Sequence, residues 1–445
     1  MLAAPALRAD DTDIYTSSIV PANSVPLVMF TLDTSSSAGA VYGGCSNVGT
    51  GAGMCAPAAY FRDNCSTCTL PASTAPLTYF HVMKFAIRMV VESQTGMKIG
   101  LALNHRHENN CVGPRPLLPT AAERCSNGAY VARGLKLLDR VTIPGDPLLG
   151  IPDTSVLGPN TQEFLAILDN LPVPSGSVAH SYQGKELFFE LFRYLTGQAI
   201  YNGHNGYTDY GTDNTQNLDV DKPAIDWDAG VEAAALYVSP LTADLSCTKV
   251  FTVNFALSGA SQDDDSDAAI DSDLPGGMIG LDLHAPNNKF ENVIGYLHDV
   301  DLARAALPFG TVAALTGKQN VTSYFFTVPT PANSNPPTFD RTMTDYAQQG
   351  GTLRPQAFSA SPAAVVDGLR STMTQILSVS TTFVSASVPV NVFSRTQLLN
   401  DVYVALFQPD IAAKPFWTGN LKKLKSQAFD VPCAVGAPAD CVASK

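Results

Sequence analysis

Apolar runs that alternate with amphipathic segments predict a sheet with helices packed against it. The run from Val25 to Leu32 is almost wholly apolar, as expected for a central parallel strand that is covered on both faces. Further apolar runs predict strands at residues 97–104, 248–259 and 321–328. Helical spacing of apolar residues predicts helices over residues 78–96, 161–171, 184–197, 291–303 and 361–377.

Strands that alternate with helices imply right-handed crossovers and a mainly parallel sheet with helices on both faces. We therefore expect an α/β domain over residues 25–385, after a lead-in at residues 1–24. After about residue 386, apolar and polar positions alternate between turn residues, which predicts the first strands of an antiparallel β domain. Segments rich in Gly, Pro and polar residues predict insertions at about residues 38–76, 105–160 and 201–230.

Composition narrows the class of protein. The chain has 445 residues, of which 45% are hydrophobic and 15% charged, which is typical of a globular protein. A formal net charge of −13 argues against binding nucleic acid or an anionic membrane through a basic face. No run approaches the roughly 20 apolar residues that a membrane helix needs. The start "MLAAPALRAD" fits either the end of a signal peptide or an ordinary chain terminus.

The cysteines indicate an oxidising compartment. Nine cysteines are present, and most of them form close pairs in sequence that is typical of loops. Such pairs favour local disulfides, although the sequence does not determine how they connect. Cys247 stands apart from these pairs, and is either free or bonded to another chain. The close pairs are Cys45 with Cys55, Cys65 with Cys68, Cys111 with Cys125, and Cys433 with Cys441.

One carboxylate and four hydroxyl side chains follow the predicted first strand, in the stretch Asp33 to Ser37. Ligands of open parallel sheets bind beyond the carboxyl ends of the strands. The alternate spacing of Asp33, Ser35 and Ser37 predicts that their oxygen atoms face one crevice. Such oxygen ligands suit Mg²⁺ or Mn²⁺ that keeps some of its water, with Ca²⁺ as a further candidate.

The Asp-x-Ser-x-Ser pattern after an apolar strand resembles the metal-ion-dependent adhesion site of von Willebrand factor type A domains. The resemblance implies a Thr ligand from a second loop, where this chain has Ser181, with Ser177 as the alternative. It also implies an Asp from a third loop, where "ALSG" places Ser258 instead. One of the aspartates at residues 263–265 is the remaining source of a third-loop carboxylate.

A longer series of motifs resembles the PilY/PilC family of type IV pilus tip adhesins and assembly factors. The series runs from about Asp10 to Lys425 through "LDTSSS", "RYLTG", "CTKVFTVNF", "GYLHDVDL" and "NVTSYFF". Its most specific part lies between Phe393 and Leu424 and includes "FWTGNLK", where the family's β-propeller begins. The resemblance implies a non-enzymatic protein of the cell surface that reaches the pilus tip through the periplasm. Its implied partners are minor pilins, which it contacts to prime assembly, and a host or abiotic surface.

An aspartic protease is the enzymatic alternative. "LDTSSS" at Asp33 and "PDTSV" at Asp153 partly match the Asp-Thr-Gly of that class, in which two carboxylates share one proton. Both copies lack the glycine, and Asp153 follows no apolar strand. The residues therefore favour a binding protein over this enzyme.

Four other clusters are weaker candidates for a metal site or a contact surface. The stretches at residues 261–273 and 219–228 are acidic, and we interpret both as solvated loops rather than calcium sites, because a calcium loop needs a glycine and a closing Glu. His105 and His107 near Cys111 suggest a zinc site. However, no second Cys-x-x-Cys accompanies "CSTC" at residues 65–68 with the spacing of such a site, which favours disulfides. The Tyr-, Asn- and Gly-rich stretch at residues 201–214 is either a surface loop or an adaptable contact surface.

Overall fold

The computed structural model describes much of the chain. The chain divides into two compact units, Met1–Met373 and Thr374–Lys445, and each is described by itself. The described residues are 25–49, 53–104, 129–145, 153–174, 182–201, 203, 227–242, 248–260, 267–274, 290–302, 318–331, 336–359, 361–380, 383–387, 401–408 and 418–425.

A six-stranded sheet forms the centre of the first unit. The strands of this unit are β1 (Leu27–Leu32), β2 (Lys98–Asn104), β3 (Ala129–Leu137), β4 (Arg140–Ile143), β5 (Thr154–Leu157), β6 (Glu232–Ala233), β7 (Leu236–Tyr237), β8 (Val250–Phe255), β9 (Val321–Thr327) and β10 (Gln356–Ala357). The central sheet has the order β10-β9-β8-β1-β2-β3. All its neighbours pair in parallel except β3, which runs antiparallel to β2.

Helices cover both faces of this sheet. They are α1 (Ala56–Asn64), α2 (Tyr79–Val91), α3 (Pro159–Asn170), α4 (Gly184–Thr196), α5 (Asp267–Asp273), α6 (Phe290–Asp299), α7 (Arg341–Gln349) and α8 (Pro362–Ser380). On one face, Leu27 and Met29 of β1 belong to the same buried cluster as Phe188 of α4. On the other face, the ring of Phe30 lies 6.2 Å from the ring of Phe164 in α3.

The sequence marks the ends of two central helices. Thr78 precedes α2, and its hydroxyl accepts from the amide of His81 at 3.3 Å. The amide of Thr78 in turn donates to Nδ1 of His81 at 3.2 Å, so both groups at this helix start have partners. Helix α4 ends at Gly197, whose φ of 68° is the left-handed conformation that glycine adopts most readily.

The predicted α/β class and mainly parallel sheet are confirmed, because each predicted strand and helix of the first unit overlaps an observed one. The predicted insertions contain more regular structure than expected. Strand β3 joins the central sheet, and β4 pairs with β5 in a separate hairpin, although both lie in the predicted insertion at residues 105–160. Helix α1 likewise forms within the predicted insertion at residues 38–76.

Two of the four cysteine pairs noted in the sequence lie within the described residues, and both form disulfides. Cys45 bonds to Cys55 with 5.5 Å between their Cα atoms, and Cys65 bonds to Cys68 with 5.4 Å. Cys111, Cys125, Cys247, Cys433 and Cys441 lie outside the described residues.

The second unit contains a three-stranded antiparallel sheet. Its strands are β11 (Phe383–Ser387), β12 (Asp401–Gln408) and β13 (Thr418–Lys425), in the order β11-β12-β13. Antiparallel pairing after about residue 386 agrees with the alternation in the sequence. Among the helices that the structure describes, none combines the length and apolar composition needed to cross a bilayer.

Candidate functional site

The carboxyl end of β1 lies at the point where the order of the central sheet reverses. From β1 the chain proceeds to β2 on one side and later to β8 on the other. The last residue of β1, Leu32, pairs with Leu103 of β2 and with Phe255 of β8, so the three strands end at one edge. Ligands of open α/β sheets bind in the crevice at such a point.

Asp33 is fully buried at this edge and joins the segments that follow β1 and β8. Its amide donates to the carbonyl of Phe255 at 2.9 Å. Its Oδ1 accepts from the amide of Ser35 at 2.8 Å, and its Oδ2 accepts from the amide of Leu257 at 3.2 Å. Each oxygen of an ionised carboxylate keeps a further lone pair after one such bond, so Asp33 retains capacity to bind another group.

Burial raises the pKa of the Asp33 carboxyl above its ordinary value. The Ser35 hydroxyl and the amides of Ser35 and Leu257 act in the opposite direction, and are weaker than the loss of hydration. The charged carboxylate therefore lacks full compensation. A cation bound beside it would supply that compensation and lower its pKa.

The chain turns directly after Asp33. The amides of Ala38 and Ala40 donate to the carbonyls of Ser35 and Ser37 at 3.0 and 3.2 Å. The period of two that predicted a shared crevice holds only within a strand, and β1 ends at Leu32. In the turn, Ser35 is buried whereas Ser37 is exposed. The binding of one ion by Asp33, Ser35 and Ser37 stays a prediction.

The Ser35 hydroxyl oxygen is the unusual atom of this turn. It is buried and makes no hydrogen bond of normal geometry with the residues that the structure describes, although it lies close enough to the Asp33 carboxyl to lower the pKa of that group. A buried hydroxyl without a normal hydrogen bond costs free energy, so its retention in a folded protein needs a reason. An absent ligand beside Asp33 would provide one.

The second predicted loop is flanked by one residue that lies against the first loop and by another that is bonded to the end of β2. Ser177 and Ser181 lie outside the described residues. At one flank, a Cβ atom built on Gly39 would lie only 2.1 Å from the carbonyl oxygen of Pro174. At the other flank, Nδ2 of Asn104 donates to the carbonyl of Gln183 at 2.8 Å.

Asn104 also contacts the first loop, because its carbonyl accepts from the Thr34 hydroxyl at 3.2 Å. Neither Asn104 nor Gly39 was singled out from the sequence. The available signal was a polar residue at the end of the apolar run "IGLALN", which matches the position of Asp33 after the first strand. No sequence signal indicates the contact between Gly39 and Pro174, because it joins distant segments.

The third predicted loop also lies at this edge. Leu257, which donates to Asp33, directly precedes the half-buried Ser258. Residues 263–265, the alternative source of a carboxylate, lie outside the described residues. Among the residues described, no group of three or more His, Cys, Asp or Glu side chains is arranged to hold a metal. The described donors, one carboxylate and nearby serine hydroxyls, fit a weakly held hard cation.

The other acidic candidates have structural surroundings where they are described. Asp228 is buried, accepts from the amide of Gly134 at 3.2 Å and pairs with Lys136 at 2.9 Å. The interpretation of residues 261–273 as a loop is wrong for the second half, because Asp267–Asp273 forms α5. His105, His107, Cys111, residues 204–214 and most of the stretch at residues 219–228 lie outside the described residues.

We compared the chain with known proteins, and no family model, curated protein or solved structure matches it.

Proposed function

We propose that this chain is a non-enzymatic protein of the type IV pilus tip, secreted to the cell surface through the periplasm. Its first unit is then a von Willebrand type A-like domain, and its second unit begins a β domain, which is a β-propeller in the PilY/PilC family. It adheres to host or abiotic surfaces and primes pilus assembly by contacting minor pilins. The motifs from "LDTSSS" to "FWTGNLK" support the pilus assignment.

The adhesion site in this proposal is the carboxyl edge of the sheet at Asp33. Asp33, Ser35, Ser37 and Ser181 are the ligands that would hold Mg²⁺ or Mn²⁺, with Ca²⁺ as a further candidate. The bound cation would supply an open coordination position for a carboxylate of the partner protein. The observation that carries this proposal is the buried Ser35 hydroxyl beside the desolvated Asp33 carboxylate, because that hydroxyl makes no hydrogen bond of normal geometry with any residue that the structure describes.

A metal-free scaffold that docks minor pilins is the second candidate. It is favoured by the two backbone amides that already bind the Asp33 carboxylate. It is also favoured by Ser258, which occupies the place of the carboxylate expected in the third loop. In this case Asp33 only fastens the segments after β1 and β8 to each other.

The aspartic protease alternative receives little support from the surroundings of its second aspartate. Asp153 is exposed, precedes β5 of the separate hairpin, and its Oδ1 accepts from the amide of Gly145 at 2.7 Å. The described hydrogen bonds of Asp33 involve the segments after β1 and β8 instead. A pepstatin-sensitive peptidase activity that disappears in Asp33→Asn would revive this alternative.

Thermal unfolding in EDTA and in Mg²⁺, Mn²⁺ or Ca²⁺ separates the two binding functions. An ion that binds only the native state raises the unfolding temperature by mass action. The adhesion-site proposal expects a rise with Mg²⁺ or Mn²⁺ in the wild type and none in Asp33→Ala. An equal response of both proteins, or none in either, would favour the metal-free scaffold.

The pilus assignment needs its own test, because metal binding does not identify a partner. Pili sheared from cells that produce the chain should carry it, and labelled antibody should mark it at pilus tips. Deletion of the chain should reduce both surface attachment and the number of pili. Normal piliation and attachment in the deletion strain would contradict the assignment, whatever the metal result.

A further inference from the structure

Strand β2 ends in Asn104, whose backbone and side chain bond to two different segments. Its carbonyl accepts from the hydroxyl of Thr34, in the turn at residues 33–40, at 3.2 Å. Its Nδ2 donates to the carbonyl of Gln183, directly before α4, at 2.8 Å. The exposed fractions of Thr34, Asn104 and Gln183 are only 5%, 3% and 1%, so water does not readily replace a bond that is lost here.

The carbonyl of Gln183 is also the group with which α4 begins. Besides Nδ2 of Asn104, it accepts from the amide of Leu187 at 3.2 Å. This second bond closes the first turn of the helix, because Gln183 directly precedes Gly184, the first helical residue. Asn104 therefore orients the carbonyl on which the first turn of α4 depends.

The other end of the same link reaches the Asp33 carboxylate. Thr34 lies between Asp33 and Ser35, and the amide of Ser35 donates to Oδ1 of Asp33 at 2.8 Å. Because the three residues are consecutive, a shift of Thr34 also moves the two groups that form this bond. The bond between Thr34 and Asn104 therefore fixes the backbone that surrounds the Asp33 carboxylate.

The other flank of the second predicted loop is fastened to a different element. Nζ of the buried Lys84, in α2, donates to the carbonyls of Asp169 and Leu171 at 2.6 and 2.8 Å. These bonds hold the end of α3 against α2 and do not involve the turn at residues 33–40. Breaking the link through Asn104 therefore leaves them in place.

We propose that Asn104 is a positioning residue that couples the turn at residues 33–40 to the first turn of α4, so that order in either segment favours order in the other. The coupling itself does not depend on the proposed function. Its consequence for cation binding rests on that function, because a turn that is ordered before binding holds a ligand more tightly.

Hydrogen exchange of the metal-free full chain tests the coupling. Thr34→Val removes the hydroxyl and nearly keeps the shape of the side chain, so it breaks the link at the first segment. We expect the amides of residues 187–190 to exchange roughly fivefold faster or more, although the substitution removes no bond of that segment. Thr34→Ser keeps the hydroxyl and should restore the wild-type rate. Faster exchange confined to residues 33–40, or no change in either segment, would overturn the proposal.

A second substitution breaks the same link at its other bond. Asn104→Leu removes the donor to Gln183 and should speed exchange both at residues 187–190 and, reciprocally, at residues 35–40. Adding Thr34→Val to it should give no further increase at residues 187–190, because both substitutions remove one link. Increases that add in the double variant would contradict a single link.

Asn320→Leu is the matched control, because Nδ2 of Asn320 also donates to a backbone carbonyl, that of His298, at 2.6 Å. Asn320 directly precedes β9 and so lies at the opposite edge of the sheet. Its replacement should leave exchange at both coupled segments unchanged. Faster exchange there in Asn320→Leu would mean that any lost bond loosens them, which would overturn a specific role of Asn104.

Titration with Mg²⁺ separates this inference from the proposed function. Where the wild type binds Mg²⁺, Thr34→Val should bind it roughly fivefold more weakly or less, and Asn320→Leu should bind it as the wild type does. Equal binding by the wild type and Thr34→Val would contradict the coupling. A wild type that binds no Mg²⁺ would contradict the proposed cation site, and the exchange rates would still decide the coupling.

Discussion

One charged side chain is fully buried within the central sheet and another is fully buried at its carboxyl edge, and their surroundings differ. Arg133 of β3 has none of its surface exposed, yet its guanidinium has acceptors on several sides. Nε pairs with Oε2 of Glu163 at 3.2 Å, Nη2 donates to the carbonyl of Asn160 at 2.7 Å, and Nη1 donates to the carbonyl of Ile99. A buried charge with so many partners is expected to serve the fold.

Asp33 is equally buried but lies beside an unsatisfied group. Its two carboxylate oxygens have amide partners, whereas the neighbouring Ser35 hydroxyl makes no hydrogen bond of normal geometry in the described part of the chain. Partly satisfied buried polar groups are destabilising, and natural proteins keep them mainly where function requires them. The unsatisfied hydroxyl beside Asp33 therefore makes the turn after β1, rather than the surroundings of Arg133, the place to test for a ligand.

Replacing Arg133 is expected to have the largest effect. Arg133→Met removes the donor to the buried carbonyl of Ile99 and to the half-buried carbonyl of Asn160, which should cost about 2–4 kcal/mol of unfolding free energy. Chemical denaturation measures this cost. Arg133→Lys keeps the charge but lacks the planar fork, so it should recover only part of the loss. An unfolding free energy of Arg133→Met that equals the wild-type value within error would contradict the view that buried Arg133 stabilises the fold.

Gly39→Ala tests how rigidly the Asp33 turn is held. The added Cβ would meet the carbonyl oxygen of Pro174 at 2.1 Å, so backbone must move, at an expected cost of about 1–3 kcal/mol. Gly53→Ala is the matched control, because a Cβ there meets nothing within 4 Å. Equal unfolding midpoints for the two variants would show that the turn yields easily and is not preorganised.

The pH dependence of stability tests the burial of Asp33. Burial raises the pKa of Asp33, so the folded protein holds this proton more tightly than the unfolded chain does. The stability that Asp33 contributes is therefore greatest below its ordinary pKa and is lost as the pH rises through its folded pKa. The difference in unfolding free energy between wild type and Asp33→Ala should therefore shrink as the pH rises through that window. A difference that grows with pH would contradict the account.

The sequence predicts the central strands and helices well because their apolar residues repeat at the period of each element. Strand β3 escapes the same reasoning, since Arg133 and Lys136 interrupt its apolar residues. The buried position of Arg133 depends on Glu163, Asn160 and Ile99, which are remote from it in the sequence. Helix α7 also escapes, because only Met343, Tyr346 and Ala347 of its residues are buried.

For the candidate site, the apolar run ending in Asp33 predicts the correct edge of the sheet. The sequence does not reveal that Ser35 is buried while Ser37 is exposed, because the strand period no longer applies once the chain turns. It also does not reveal the contacts of Asn104 and Gly39, which arise from tertiary packing.

The most direct test of the central claim is calorimetric titration of Mg²⁺ and Mn²⁺ into the wild type and Ser35→Ala, with Ser36→Ala as the control in the same turn. The Ser35 hydroxyl is buried and makes no hydrogen bond of normal geometry with a described residue, so its removal should not lower the stability of the metal-free protein and should raise it by up to about 1–3 kcal/mol. We predict that the wild type and Ser36→Ala bind the cation, and that Ser35→Ala binds it at least roughly tenfold more weakly, which corresponds to about 1.4 kcal/mol. Equal binding by all three proteins, or no binding by the wild type, would contradict the claim that the buried Ser35 hydroxyl marks a cation site.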